Sequence, residues 1–441
     1  MTAPRTQSYG RYDSLLPPSA LLLHWRAAWA ELTPLSGLQA PTYERASIAT
    51  ALDANGFLRR VANHQSRYEA VDTDGDGIGD YAVLRLDPGE SSGWSQTEQL
   101  DNANWTKTGA TISANAAVAP DLAATADKIA EDTATSDHGI SRNTPTLGTN
   151  ESECLTFFAK AAERNWLRVV TTNKANQVDS SWVNIATGAT GTVDAQHTIR
   201  VKLLANGWVR CTVIWNSGSG ATTPNVAIRL ATGNNATTYA GTTGSGAYVW
   251  GINLAVGETC EVGYIPAAAS AVTTVADEFT LPAAWGLLND CTFYVEAELH
   301  PWDLAGGTLT RAQYLLAQRS ANLAAARLEL FASASSRVLT AQLTDASAVV
   351  QSITLAIPIT TPVIGVAMQC RNLQSAPQAR LAVAPGAWTN WTTAVGALPA
   401  IANQISVGDS AESAGNNWNG GIGVVKCAGA LVEYDAMQMA Y

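Results

Sequence analysis

The sequence predicts an all-β protein, with an N-terminal arm and small β-region followed by two β-sandwich domains. Three observations carry this expectation. Short runs of Ala, Thr, Val and aromatic residues recur along most of the chain, separated by Gly, Asn and Pro, which is the spacing of short strands and turns. Charged residues make up 14% and hydrophobic ones 46%, with 35 Gly and 17 Pro; this balance excludes a disordered or coiled-coil chain. At 441 residues there is room for two or three domains, each burying its own core.

The formal net charge of −11 repels phosphate backbones, and no Lys/Arg run interrupts it, so nucleic acid is not an expected partner. The apolar stretch Leu15 to Trp29 is broken by Pro17, Pro18, His24 and Arg26. It is too short and too polar to span a bilayer, so no membrane insertion is expected. It also lacks a basic segment followed by a small-residue cleavage site, so synthesis in a cytoplasm without export is expected. Cysteines 154, 211, 260, 291, 370 and 427 never form CxxC and read as small buried apolar residues.

Residues 1 to about 40 carry Pro4, Pro17, Pro18 and Pro34, with one predicted short helix from Ser19 to Leu32 on a serine cap. This segment has too little apolar surface to fold alone, and is expected to dock as an arm on a partner chain. From Tyr43 an alternating pattern runs into Asn55-Gly56, which predicts a type I′ hairpin with a second strand over Phe57 to Val61. Then comes VDTDGDGIGDYAVLRL. Asp72, Asp74, Asp76 and Asp80, with Gly77 at the sixth position, copy the front of an oxygen-ligand calcium loop, so calcium is the one candidate cofactor. The twelfth position is Val83, where a bidentate acid is needed. A Gly/Asp-rich turn between strands ending near Val71 and starting at Tyr81 accounts for the same residues.

Ser95 to Gly109, SQTEQLDNANWTKTG, marks the entry into the first sandwich, with Asp101 and Asn102 as turn formers and Trp105 as a core anchor. Strand-like runs follow at 154–162, 166–172, 182–188, 197–205, 208–215, 226–230 and 247–254. Among the 14 tryptophans, Trp208 and Trp250 read as core. Trp166 and Trp182 begin strands after polar loops and are candidates for stacking on a sugar ring, packing being the alternative. Small residues after Pro266 read as a linker ending at Asp277. The expected divisions are 1–92, 93–268 and 276–441.

In the last division, Trp388 and Trp391 lie three apart in PGAWTNWTT and are the second pair of candidate sugar-stacking residues, packing across a hairpin being the alternative. Histidines 24, 64, 138, 197 and 300 are scattered, and the chain has no GxSxG, Walker or HExxH motif. No catalytic residue is assigned and no enzyme is expected.

Several of these stretches resemble landmarks of tailed-bacteriophage virion proteins. Glu44 to Thr50, Asp53 to Gly56 and Arg67-Tyr68 look like the opening of that family, and Ser95 to Gly109 like the segment that follows it. Phe158 to Ala161, Gly207 to Cys211, Tyr248 to Gly251 and Tyr264 to Pro266 resemble its carbohydrate-binding-module-like jelly roll and connector. CTFYVEAELHPWD and NNWNGGIGVVKCAGALVEYDAMQMAY resemble the two ends of a laminin-G or concanavalin-A-like sandwich. Glu296 and Glu298 then invite comparison with the paired acids of lectin-fold glycosidases, but His300 stands in the third acid's place.

The resemblance implies a non-enzymatic structural protein located in the virion, decorating a particle or adhering to host-surface glycan. Residues 1–40 would contact other virion proteins at the head or tail, and the protein would be a homo-oligomer, a trimer by analogy. Many copies on one particle would raise the apparent affinity of weak sugar sites. The alternative is a free polysaccharide-binding or polysaccharide-cleaving protein with a lectin-like fold.

Overall fold

A computed structural model describes residues 21–26, 42–71, 81–87, 89, 91–257, 263–281, 290–298, 313–319, 327–332, 338–345, 347–356, 363–373, 375–383, 387–396, 404–407 and 420–428. These residues are almost entirely antiparallel β-structure. The chain divides into two compact units. One takes Glu44–Asp277 together with His300–Thr310; the other takes Met1–Tyr43, Glu278–Leu299 and Arg311–Tyr441.

The unit Glu44–Asp277 contains two six-stranded sheets. One runs in the order Ala189–Thr190, Val178–Asn184, Trp166–Thr172, Asn225–Ala231, His138–Asn143, Thr106–Thr108. The other runs Thr198–Leu203, Trp208–Asn216, Ser152–Ala161, Gly246–Val256, Ala126–Glu131, Ala110–Ala117. Side chains alternate between faces along a strand, so Leu155, Phe157 and Ala159 meet Leu167, Val169, Val183 and Ile228 in one core. Each fully buried Leu, Val or Phe here contributes about 1.5–3 kcal/mol of transfer free energy.

The second face of Ser152–Ala161 is also covered. Phe158 joins Trp208, Trp250, Tyr264, Leu52 and Leu58 in a separate cluster, the last two supplied by the hairpin Ala49–Leu52 and Leu58–Val61. Trp208 and Trp250 are core residues as expected, and each indole N–H is satisfied, on the Val118 carbonyl at 3.1 Å and the Thr125 hydroxyl at 2.9 Å. Gly251 adopts φ +62° beside the register shift between Thr156 and Phe158. A Cβ there would meet Phe158 at 3.0 Å and Tyr264 at 3.1 Å, so the bulge and the aromatic cluster both require glycine.

The hairpin lies where Asn55-Gly56 placed it, but its turn is not type I′. Only Gly56 has positive φ, at +76°, whereas type I′ needs it at both central positions. Asp53 decides the outcome: its carboxylate accepts the N–H groups of Asn55 at 2.9 Å and Phe57 at 3.0 Å, while its carbonyl accepts Gly56 N–H. That closes a three-residue loop with the glycine in the left-handed position.

Trp105 is buried as an anchor, edge-on to Trp94 with centroids 5.3 Å apart, and its indole donates to the Gln96 carbonyl at 3.1 Å. Asn102 forms the preceding turn, accepting Asn104 N–H on its side chain at 2.9 Å. Arg142 lies over both rings, 5.5 Å from Trp94 and 5.3 Å from Trp105.

A buried ionic cluster ties residues 45–87 to the small-residue stretch before Glu278. Arg67 pairs with Asp87 at 2.7 Å and Asp277 at 2.5 Å, Arg45 with Asp277 at 3.3 Å, and Arg85 with Asp87 at 2.5 Å. Burial alone would raise the Asp87 pKa, but the Arg67 and Arg85 guanidiniums outweigh it and hold the carboxyl well below the usual range. Further along the same stretch, Ser92 N–H donates to the Val272 carbonyl and Thr97 N–H to that of Ala267.

The other unit also has two sheets. One has seven strands in the order Thr42–Glu44, Glu278–Leu281, Gln404–Val407, Gln313–Arg319, Arg327–Ala332, Val338–Thr344, Val350–Ala356. The second runs in the order Gln378–Val383, Val363–Arg371, Cys291–Glu298, Gly420–Ala428, Leu21–Arg26. Phe293, Val295, Val366, Met368 and Leu381 are buried on one face of the latter, Phe279, Leu316, Leu330 and Val407 in the former.

The predicted helix from Ser19 to Leu32 is overturned at its centre. Leu21–Arg26 is a strand that pairs antiparallel with Gly420–Ala428, so the ladder of a distant strand overrides the local helical preference of LLLHW. This part of the expected arm is paired within its own chain. Cys154, Cys211, Cys291 and Cys370 are buried and form no disulfide, as small apolar residues, and burial pushes the thiols of Cys211 and Cys291 up.

Candidate functional site

Two groups of aromatic and guanidinium side chains are the strongest candidates, one in each unit. In the unit containing Glu278, the segment 387–396 runs beside the strand Gln378–Val383. Thr389 N–H donates to the Leu381 carbonyl at 2.8 Å and Thr392 N–H to that of Ala379 at 2.9 Å. Each threonine hydroxyl accepts the reciprocal N–H, from Leu381 at 2.9 Å and Ala379 at 3.0 Å, so it stands in for a backbone carbonyl. This spacing of three sets Trp388 and Trp391 over the same strand.

Between and beside the indoles lie two arginines. The Arg380 guanidinium is 4.7 Å from the Trp388 ring centroid and 4.8 Å from that of Trp391, and Arg371 is 4.1 Å from Trp391. Gln369 accepts from Arg380 Nε at 2.6 Å, and Gln378 accepts from Arg371 Nε and Nη2 at 3.0 and 2.8 Å, which fixes both guanidinium planes. All four ring and guanidinium residues are half-buried, and Asn390 between the tryptophans is exposed. Each such contact is worth about 0.5–2 kcal/mol, so the row is rigid before anything binds.

In the unit Glu44–Asp277, Trp166 and Trp182 lie on the face of their sheet opposite the core, since Leu167, Val169 and Val183 point inward. Trp182 is packed: it is 7% exposed and its indole donates to the Ala236 carbonyl at 2.9 Å. Trp166 is half-buried beside Gly191, where an added Cβ would come within 2.8 Å of its ring. Arg168 lies between Trp182 and Arg229 across the sheet and donates to Asp137 at 2.7 Å.

No family model matches the sequence, and no curated protein matches it. Among solved structures the chain is similar to the CBM40 of the Ruminococcus gnavus IT-sialidase bound to α2,3-sialyllactose, at 10% identity and a TM-score of 0.26. That match covers 35% of this chain and 84% of that one. It is also similar to domains LG4-5 of the mouse laminin α1 chain, at 12% identity and TM-score 0.21 over 66% of this chain and 85% of that one. The LG1-3 region of the laminin α2 chain gives 10%, 0.23, 65% and 63% in the same order. All these scores lie below 0.5, too low to establish a shared fold.

Asp72, Asp74, Asp76 and Asp80 lie outside the described residues. Among the described residues no group of three or more His, Cys, Asp or Glu is placed to hold a metal ion. Glu296 is half-buried and accepts from the Tyr294 hydroxyl at 2.8 Å; His300 is outside the described residues. His197 is buried with the Thr171 and Ser181 hydroxyls at 2.8 Å from its two ring nitrogens, so both nitrogens are engaged within the sandwich.

Sequence reasoning named the four tryptophans as candidates and did not name Arg371, Arg380, Arg168 and Arg229, which the structure places beside them. The i, i+2 spacing of Trp166 and Arg168 put them on one face. Which arginine stands beside which ring depends on cross-strand register, which no local pattern encodes.

Proposed function

We propose that this protein is a non-enzymatic, glycan-binding component of a phage particle, anchored through parts of residues 1–40 and presenting β-sandwiches to the host surface. The observation that carries the glycan reading is the row Trp388–Arg380–Trp391–Arg371. A pyranose has an apolar C–H face and a rim of hydroxyls, and a half-exposed indole beside fixed guanidinium donors matches both. The virion reading rests on the sequence landmarks between Glu44 and Tyr264, and multiple copies on a particle would compensate for a weak single site.

The test has two arms. The full chain is applied to a panel of bacterial surface polysaccharides beside Trp391→Ala and Trp388→Ala. Loss of binding by about tenfold or more in either variant supports the row as the site, since tenfold corresponds to about 1.4 kcal/mol, within the range of one stacked ring. Unchanged binding removes it. In the second arm, antibody raised against the protein is imaged on purified particles, and absence of label on virions refutes the particle role.

A further inference from the structure

One lateral row crosses four neighbouring strands on the outer face of the sheet containing Trp166–Thr172. Arg168 is the register partner of Trp182 on one side and of Arg229 on the other, and Arg229 is the partner of Gly139. Residues directly opposite in an antiparallel pair hold their Cβ atoms about 4.5–5.5 Å apart, so two guanidiniums begin side by side where like charges repel. Asp137 binds Arg168 Nη2 at 2.7 Å. That contact leaves Arg168 Nε and Arg229 Nη1 buried without a hydrogen-bond partner, and Arg168 is only 8% exposed. Burial, reinforced by the Arg168 charge and opposed by Asp137, lowers the Arg229 pKa, as expected for a cation short of an anion.

We infer that Arg168 and Arg229 form a subsite for the carboxylate of an acidic sugar, with Trp166 as the surface on which its ring stacks. Arg168 Nε–H and Arg229 Nη1–H, one on each guanidinium, are the unpaired donors that a carboxylate bridging the two arginines would satisfy, one with each oxygen. Trp166 lies two residues from Arg168 on the same face, about 7 Å along the strand. That distance suits a pyranose whose ring covers the indole while its carboxylate reaches the arginines. Ser180, on the same face two residues from Trp182, adds a half-buried hydroxyl. The subsite belongs to a different unit from the Trp388 row and stands whether or not that row binds glycan.

The test uses the full chain with three probes: methyl β-glucuronide, methyl β-glucoside and sodium sulfate, followed by titration calorimetry and by NMR of the arginine Nε–H signals. The expected result is glucuronide binding at least tenfold tighter than glucoside. It should weaken tenfold or more in Arg229→Gln and in Trp166→Ala, and the Arg168 Nε–H signal should move in the unmutated protein. That last readout decides the matter if either variant fails to fold. Equal binding of the two sugars, unchanged binding in Arg229→Gln, or an unmoved Arg168 signal overturns the assignment. Sulfate competing with full effect in Trp166→Ala shows a site for inorganic anions and overturns the saccharide assignment.

Discussion

Glu153 provides a stability prediction that follows directly from the structure. It lies on the strand Ser152–Ala161, fully buried, with no hydrogen-bond partner on either carboxylate oxygen, and its register partner Trp215 has an equally unpartnered indole N–H. Burial, with a smaller contribution from the Glu151 charge, pushes its pKa from the ordinary 4.5 to about 9. Between those values the folded protein keeps the proton while the unfolded chain releases it. The contribution is therefore fully present below about pH 4.5 and is lost as pH rises towards 9, at about 1.4 kcal/mol per pH unit. At pH 7 the loss is about 3 kcal/mol, since the unfolded carboxyl is then about 2.5 units above its pKa.

Glu153→Gln keeps the shape and removes the titration. It should stabilise the Glu44–Asp277 unit by about 3 kcal/mol at pH 7, raising its calorimetric midpoint by about 6–12 °C. It should also flatten the pH dependence between pH 5 and 9. Calorimetry of the full chain and of the variant across that range measures both. A midpoint unchanged or lowered at pH 8, or an unaltered slope, would refute the reasoning.

Other perturbations test other parts of the molecule. Burial pushes His197 down to about 4, against a weaker pull from Asp194, so its contribution is lost as pH falls from about 6.5 to 4. Together with Glu153 this predicts a stability plateau between about pH 4.5 and 6.5, and a urea-midpoint series showing a maximum above pH 8 would contradict it. Asp277→Asn removes the carboxylate charge that Arg45 and Arg67 share, leaving Arg67 its pair with Asp87, and should cost about 3–5 kcal/mol, read as a lowered melting midpoint; a cost below about 1 kcal/mol would show that the shared charge is not needed. Gly251→Ala should destabilise the same unit through strained φ and contact with Phe158 and Tyr264, and an unchanged midpoint counts against that account. Calcium on Asp72, Asp74, Asp76 and Asp80 should give heat on titration at about millimolar affinity and raise the melting midpoint, and silence in both removes the metal reading.

Much of the fold was legible where composition and local pattern act alone. Trp208 and Trp250 read as core from their places on strand-like landmarks and Trp105 as an anchor beside the Asp101-Asn102 turn, and each is buried. The position of the Asn55-Gly56 hairpin was legible, but its turn type was set by Asp53, whose side chain recruits two backbone donors. Leu21–Arg26 was misread because a leucine-rich run is ambiguous until its ladder partner, Gly420–Ala428, is known.

The sequence by itself determined the all-β class, the turn positions, and a set of tryptophans among which sugar-stacking residues were to be sought, because side-chain alternation and turn chemistry act over a few residues. Only the tertiary structure decided that Trp182 is packed under the Ala236 loop, that Trp388 and Trp391 share Arg380, and that Arg168 faces Arg229. The Arg168–Arg229 pairing depends on strand register, since a slip of one residue would send a side chain to the opposite face, and the Trp182 and Trp388–Trp391 contacts depend on non-strand segments folding back onto a strand.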